Sequence, residues 1–175
     1  MFLEAASIGL GAALFRDAER FEKGDYGSLA LAIRTLVRFR PSRIRVELDD
    51  RSLDTHAPVV AVANGPYAGL GFTVAPEASL EDGKLDVQIF RLASKWELIR
   101  HFAAIAFGRR RYEPRISGYR ASHVYVDGQR PLPVRIDGEN CGTTPVTFTV
   151  RARALRVLVE ASASTNALPS PAGAA

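Results

Sequence analysis

The run Arg43-Ile44-Arg45-Val46-Glu47-Leu48-Asp49 alternates charged and apolar residues without a break, the pattern of a strand with one buried face. Just upstream the period changes. In residues 28–39, SLALAIRTLVRF, the side chains of Leu29, Ile33, Leu36 and Val37 share one helical face, Ser28 stands as an N-cap and Pro41 lies beyond the end, which predicts an amphipathic helix. Strand-like runs follow at APVVAVAN (57–64), LGFTV (70–74) and LDVQIFRL (85–92), separated by turn-rich stretches. A second helix is predicted over residues 94–108, where Ser94 and Glu97 have capping-box spacing, Trp96, Ile99, Ala103 and Ala106 share a face, and Gly108 closes the end. From Tyr119 onward the two-residue period returns in HVYV (123–126), PVRI (133–136), VTFTV (146–150) and LRVLV (155–159), punctuated by Asp127-Gly128, Asp137-Gly138 and Gly142. Many short strands with two helices indicate a mainly antiparallel β-sandwich with helical attachments. The domain is expected to span residues 1–160, and the small, uncharged, proline-containing stretch 161–175 to form a disordered tail.

With 175 residues, 47% hydrophobic and 24% charged, the chain suffices for one globular domain with a well-buried core. Its single cysteine, Cys141, excludes an intramolecular disulfide and a cysteine zinc cluster, which fits a reducing compartment. The apolar start carries Glu4 where a signal peptide needs basic residues, so secretion is not expected. The uncharged stretch from Thr55 to Pro76 is interrupted by Asn64-Gly65-Pro66 and reads as two strands, so a soluble, cytoplasmic protein is expected. A net charge of +4, carried mostly by arginine, suits phosphorylated ligands, anionic lipid surfaces or nucleic acid. The arginines concentrate in residues 34–45 and 108–112, where a solvated helix edge and a basic helix end account for them equally well. Apart from Phe39 and Tyr112 these clusters lack interleaved stacking aromatics, so nucleic acid is not the expected partner.

Two stretches concentrate candidate chemistry. Asp127-Gly128 and Asp137-Gly138 both have the composition of a type I′ hairpin turn, and Asp127-Gly128 is expected to be no more than that. Asp137 differs by its company: Glu139 supplies a second carboxylate, and Gly142-Thr143-Thr144-Pro145 leads into another strand. Two carboxylates at a strand end can take a proton or hold a metal-bound water, and they are also ordinary turn residues. The second stretch runs from Asn64 to Phe90. Glycines 65, 69 and 71 leave room for a close approach to the backbone or mark a bulge. Glu77, Glu81, Asp82 and Asp86 offer oxygen ligands for Mg²⁺ or Ca²⁺, or form a solvated acidic loop. His56, His101 and His123 lack metal-ligand spacing, and there is neither a P-loop nor a nucleophile elbow.

The run NGPYAGLGFTVAPEASLEDGKLDV (64–87), together with PLPVRIDGENCGTTPVTFTV (131–150), resembles the C-terminal domain of the diacylglycerol kinase and sphingosine kinase superfamily, in its bacterial YegS-like lipid kinase branch. The opening from Phe2 to Pro41 is similar to the start of that domain, so the resemblance covers the chain from Phe2 to about Val159. It implies a β-sandwich second domain of the diacylglycerol kinase/NAD kinase-like architecture, packed against a nucleotide-binding domain, with the lipid near the junction. By resemblance Asp137 is the general base that takes the proton of the lipid hydroxyl, with Glu139 beside it, and Asn64 and Gly65 belong to the substrate side. A D-G-x-L-D loop implies Mg²⁺ held by the Asp82 side chain and the carbonyls of Ser79 and Lys84. ATP is the implied phosphoryl donor. The family's G-G-D-G-T phosphate loop is not in these residues, which contain no adjacent Gly-Gly pair. A nucleotide-binding domain or subunit, in cis or in trans, and a lipid substrate or membrane surface are therefore the implied partners. The alternative is a non-catalytic lipid-binding or interaction module that retains the sandwich.

Overall fold

The computed structural model describes residues 4–14, 27–68, 72–91 and 115–156. Its strands are β1 (Ala5–Gly9), β2 (Ser42–Leu48), β3 (Arg51–Ala57), β4 (Val59–Ala63), β5 (Tyr67–Ala68), β6 (Phe72–Thr73), β7 (Leu85–Arg91), β8 (Arg115–Ala121), β9 (His123–Gly128), β10 (Pro133–Ile136), β11 (Glu139–Thr143) and β12 (Val146–Thr149). Among the described residues a helix, α1, spans Gly27–Arg38, and residues 10–14, directly after β1, are also helical. Every strand pair is antiparallel. A six-stranded sheet has the order β11-β10-β1-β4-β7-β8, a four-stranded sheet the order β12-β9-β2-β3, and β5 pairs with β6.

The two larger sheets enclose the core. Ile8, Val60, Val62, Val87 and Ile89 from the six-stranded sheet join Ile44, Val46, Val124, Val126 and Phe148 from the four-stranded one in a single buried cluster. The alternation over Arg43–Asp49 is realised literally: Ile44, Val46 and Leu48 are buried while Arg43, Arg45 and Glu47 face solvent. On that outer face Arg43 and Arg45 both lie against Asp54 of β3, at 3.4 and 3.6 Å. These arginines thus have a carboxylate partner across the strand, as a charged sheet surface requires.

The strands predicted at residues 57–64, 85–92, 123–126 and 146–150 appear with shifted ends and that at 133–136 with the same ends, and the described part of the strand predicted at 70–74 forms β6, Phe72–Thr73. The first predicted helix appears as α1. The second predicted helix (94–108), the tail (161–175), Gly69, Gly71, His101 and the basic cluster at 108–112 lie outside the described residues. So does most of the strand predicted at 155–159, whose described part, residues 155–156, is not extended into a sheet. Asp127-Gly128 is corrected: both residues lie in β9, paired with Arg45 and Ile44 of β2. A Cβ at Gly128 would sit 2.7 Å from the Arg130 carbonyl oxygen, so glycine answers to a close backbone approach there and not to a hairpin turn.

Asp49 fastens the sandwich at one end. It sits in the β2–β3 turn, and its carboxylate accepts hydrogen bonds from the Ser122 and His123 amides (the shortest 2.7 Å), the Ser122 hydroxyl and the Lys84 ammonium. It therefore ties the four-stranded sheet to the β8–β9 connection and to the entry of β7. The backbone amides, followed by the Ser122 hydroxyl and Lys84, hold this carboxyl well below the ordinary carboxylate range. A group whose folded pKa is depressed stabilises the fold above its unfolded pKa of about 4 and loses that contribution as pH falls below it. Asp49→Asn is accordingly expected to lower the melting temperature at pH 7, and the gap to the unaltered chain to narrow as pH is taken below about 4. Thermal unfolding of both chains at the two pH values checks this, and a gap independent of pH would show that the charge is not what matters.

Candidate functional site

The registers place the candidate residues along one rim of the six-stranded sheet. Ala6 faces Ile136 and Val62, Ala63 faces Asp86, and Asp86 faces Arg120. The start of β1, the turn after β10, the residues after β4, those before β7 and the end of β8 therefore lie side by side. Neighbouring strands are about 4.8 Å apart, so the turn after β10 and the loop before β7 are separated by three spacings, roughly 14 Å.

Asp137-Gly138 makes the expected turn. Ile136 and Glu139 are paired, and Asp137 (φ 44°) and Gly138 (φ 86°) both adopt the positive φ that a type I′ loop demands. Asp137 Oδ1 accepts hydrogen bonds from the amides of Glu4 (3.0 Å) and Ala5 (3.2 Å), while the Asp137 amide donates to the Ala5 carbonyl at 3.0 Å. The turn and its carboxylate are thereby locked to the start of β1, on an exposed rim. Glu139 opens β11, the outer strand of the sheet, and is exposed. Arg135, one residue before the end of β10, is buried at 8% exposure, and desolvation pulls its pKa below the ordinary arginine value.

The Glu4 peptide unit connects the two predicted subsites. Its amide donates to Asp137, and its carbonyl accepts from the amides of Asn64 (2.9 Å) and Gly65 (3.3 Å). Asn64, Gly65 and Asp137 are thus brought together through one residue that carried no side-chain signal in the sequence. Gly65 is buried with its Cα turned toward Leu80: a Cβ there would lie 3.5 Å from Leu80 Cδ2. The 79–84 loop therefore packs on the far side of Asn64-Gly65 from Asp137.

Within that loop Ser79 Oγ accepts from the Glu81 amide and Asp82 Oδ1 from the Lys84 amide at 2.9 Å, two local side-chain turns that fold the loop on itself. Asp82 Oδ2 is 2.6 Å from Arg120 Nη2. Arg120 also donates to the Glu77 carbonyl at 3.4 Å, and its Nε lies 3.5 Å from Asp86 Oδ1. Asp86 is not part of a solvated loop. It is the second residue of β7, 5% exposed, and its buried Oδ2 has no hydrogen-bond partner among the described residues. Burial pushes its carboxyl above the ordinary value; Arg120 opposes that shift, and Asp82 and Glu77 add to it. A cleft of about 480 Å³ beside the pair is lined by Glu77, Asp86, Gln88, Tyr119 and Arg120 among others.

The D-G-x-L-D loop implies a Mg²⁺ at Asp82. Both Asp82 oxygens are engaged, one by an amide and one by a guanidinium, and among the described residues no group of three or more His, Cys, Asp or Glu side chains converges as a metal cage would. On Asp82 Oδ2 a divalent cation would have to compete with the Arg120 guanidinium for the same oxygen, with the Ser79 and Lys84 carbonyls as the other implied donors. Sequence reasoning missed Arg120 and the Glu4 peptide; the excess of carboxylates in residues 77–86 was the one signal that a cation from elsewhere in the chain had to arrive.

Among the described residues no helix is long and apolar enough to cross a membrane. Over 160 residues the chain is 29% identical to a protein named Probable lipid kinase YegS-like from Pseudomonas fluorescens, covering 90% of this chain and 53% of that one. It is 26% identical over 161 residues to a protein named Diacylglycerol kinase from Bacillus subtilis, again covering 90% and 53%. The chain thus spans about half the length of the curated relatives it matches. A crystal structure of a diacylglycerol kinase from Bacillus anthracis superposes with a TM-score of 0.58 at 20% identity, covering 86% of this chain and 50% of that one, which establishes the shared fold. Residues 5–159 match the model of the YegS C-terminal NAD kinase beta sandwich-like domain, and the chain belongs to that family.

Proposed function

We propose that this domain is the lipid-binding and proton-accepting half of an ATP-dependent lipid kinase that phosphorylates the hydroxyl of a diacylglycerol-like lipid. The observation that carries the reading is the Asp137 carboxylate, held at an exposed sheet rim by two backbone amides. A carboxylate fixed in this way is oriented before a substrate arrives, as positioned general-base catalysis requires. Asn64 and Gly65, anchored through the same Glu4 peptide, form the substrate side of the rim, and Glu139 stands next to the turn.

In the proposed reaction the lipid hydroxyl gives its proton to Asp137 as its oxygen attacks the γ-phosphorus of ATP. The new O–P bond forms as the bond to the β-phosphate oxygen breaks, and ADP carries away the electron pair. Mg²⁺ accompanies the nucleotide phosphates, whose binding falls to a separate domain or subunit. The lipid presents its hydroxyl from a membrane surface, which makes the protein a peripheral, cytoplasmic one in this reading.

The test joins this chain to the nucleotide-binding domain of a YegS-like relative and measures transfer of labelled phosphate from ATP to diacylglycerol in mixed micelles. Transfer above that of the nucleotide-binding domain alone supports the reading. Lipid retention without transfer would identify a non-catalytic lipid-binding module instead.

A further inference from the structure

Arg120 stands where oxygens from three separate positions converge. Its guanidinium meets Asp82 Oδ2 at 2.6 Å, the Glu77 carbonyl at 3.4 Å and Asp86 Oδ1 at 3.5 Å. The first two belong to the loop that precedes β7, the third to β7 itself, and Arg120 reaches them from β8. Gathering carboxylates at one point requires a cation to offset their repulsion, and a planar guanidinium that can engage several oxygens at once is suited to the task. The demand is marked at Asp86, which is buried and has one oxygen without a hydrogen-bond partner among the described residues, so that Arg120 is the charge placed to offset it.

We infer that Arg120 is the resident cation of the 77–86 segment, closing the loop onto the sheet from within the chain, so that a divalent cation reaches Asp82 only by displacing the guanidinium. The loop's other fastenings agree with a structure that is complete without metal. Lys84 pairs with Asp49 at 3.3 Å, the Lys84 amide closes on Asp82 at 2.9 Å, and Leu80 packs against Gly65. The inference concerns the stability and ion preference of the loop, and holds or fails independently of the proposed phosphoryl transfer.

Two measurements on the full 175-residue chain decide it. In thermal unfolding, the unaltered chain is expected to melt at the same temperature in a chelator and in millimolar Mg²⁺ or Ca²⁺. Arg120→Ala is expected to melt lower in the chelator and to recover when either ion is added, because the oxygens that held the guanidinium then lack a cation. In a titration with Tb³⁺, a luminescent stand-in for hard divalent cations, Arg120→Ala is expected to bind about tenfold more tightly than the unaltered chain, the scale of one charge-assisted hydrogen bond removed. Arg120→Lys, which keeps the charge but not the planar fork, should fall between the two. A rise in the melting temperature of the unaltered chain on adding Mg²⁺ or Ca²⁺ would overturn the inference, as would Tb³⁺ binding unchanged by Arg120→Ala. An Arg120→Ala chain that is destabilised but not rescued by ions would reduce the pair to an ordinary ion pair and overturn it equally. Should Arg120→Ala fail to fold, Arg120→Gln and Asp82→Asn keep the Tb³⁺ comparison available: the first should bind more tightly than the unaltered chain and the second more weakly.

Discussion

Asp137→Asn is expected to lower phosphoryl transfer about 10²- to 10⁴-fold, the range by which a positioned general base accelerates a reaction, while leaving the melting temperature nearly unchanged. Asparagine is the informative replacement because the position has φ 44°, a left-handed conformation that asparagine tolerates and most other residues do not. Its amide oxygen can still accept from the Glu4 and Ala5 amides, so the lock between the turn and β1 persists while the proton acceptor is lost. Asp137→Ala would confound the two effects: it removes the acceptor, leaves two amides without their partner and strains the turn. The assay is the joined enzyme used for the proposed function, with transfer and thermal unfolding measured on the same preparation. Full transfer in Asp137→Asn would remove the base from Asp137, whatever the lipid. A loss of transfer accompanied by a loss of folding would instead make the residue a structural one, and Glu139→Gln, whose side chain is exposed on an outer strand, then serves as the test of a second carboxylate.

How legible each part of the molecule was depended on whether its side chains had two different environments. β2 was read from Arg43–Asp49 because Ile44, Val46 and Leu48 go into the core and the arginines go out. β3 (RSLDTHA) and β11 (ENCGT) gave no such signal, since β3 is an outer strand whose residues are mostly exposed and every residue of β11 is exposed. Outer strands keep their backbone pairing without a buried face, and period-two arguments are blind to that. Turn composition was an equally uneven guide: Asp137-Gly138 forms the expected two-residue loop, whereas Asp127-Gly128, with the same letters, continues the β9–β2 ladder. Local sequence cannot separate the two, because what differs is the partner strand. The carboxylates of the site could be named from the sequence, but not the peptide that positions Asp137 or the arginine that neutralises Asp82 and Asp86, which come from 133 and 38 residues away along the chain.

These long-range contacts make the geometry of the rim depend on the core. Asp137, Asn64 and Gly65 are all referred to the backbone of Glu4, which immediately precedes β1. β1 is an inner strand, paired on one side with β10 and on the other with β4, so the rim geometry is only as firm as the packing that holds β1 in place. The catalytic carboxylate of the proposed reaction is therefore exposed, while β1, which carries its supporting amides at the start, runs on into the buried core.

Ile8→Ala should measure that support. Ile8 is fully buried near the end of β1, with Val134 and Val60 as its neighbours across the strands, and it belongs to the cluster shared by both sheets. Truncating a buried isoleucine to alanine forfeits its transfer free energy and opens a cavity that a close-packed interior fills only in part, a loss of about 2–5 kcal/mol. Against a typical total of about 5–15 kcal/mol this is a large fraction, and with a urea dependence of about 1–3 kcal/mol per molar it moves the unfolding midpoint down by on the order of 1–3 M. Ile8→Val, which removes one methylene, should cost only about 0.5–1.5 kcal/mol. Urea unfolding of the three chains gives the comparison. A ratio near that expected would place Ile8 in a rigid core between the sheets; equal and small losses in both variants would mean that β1 tolerates repacking and that the two sheets meet less closely at this point. In the first case the joined enzyme carrying Ile8→Ala should also lose transfer at temperatures below its melting point, because β1 delivers the Glu4 and Ala5 amides to Asp137 and loosening it lets the carboxylate drift from the position in which those amides hold it.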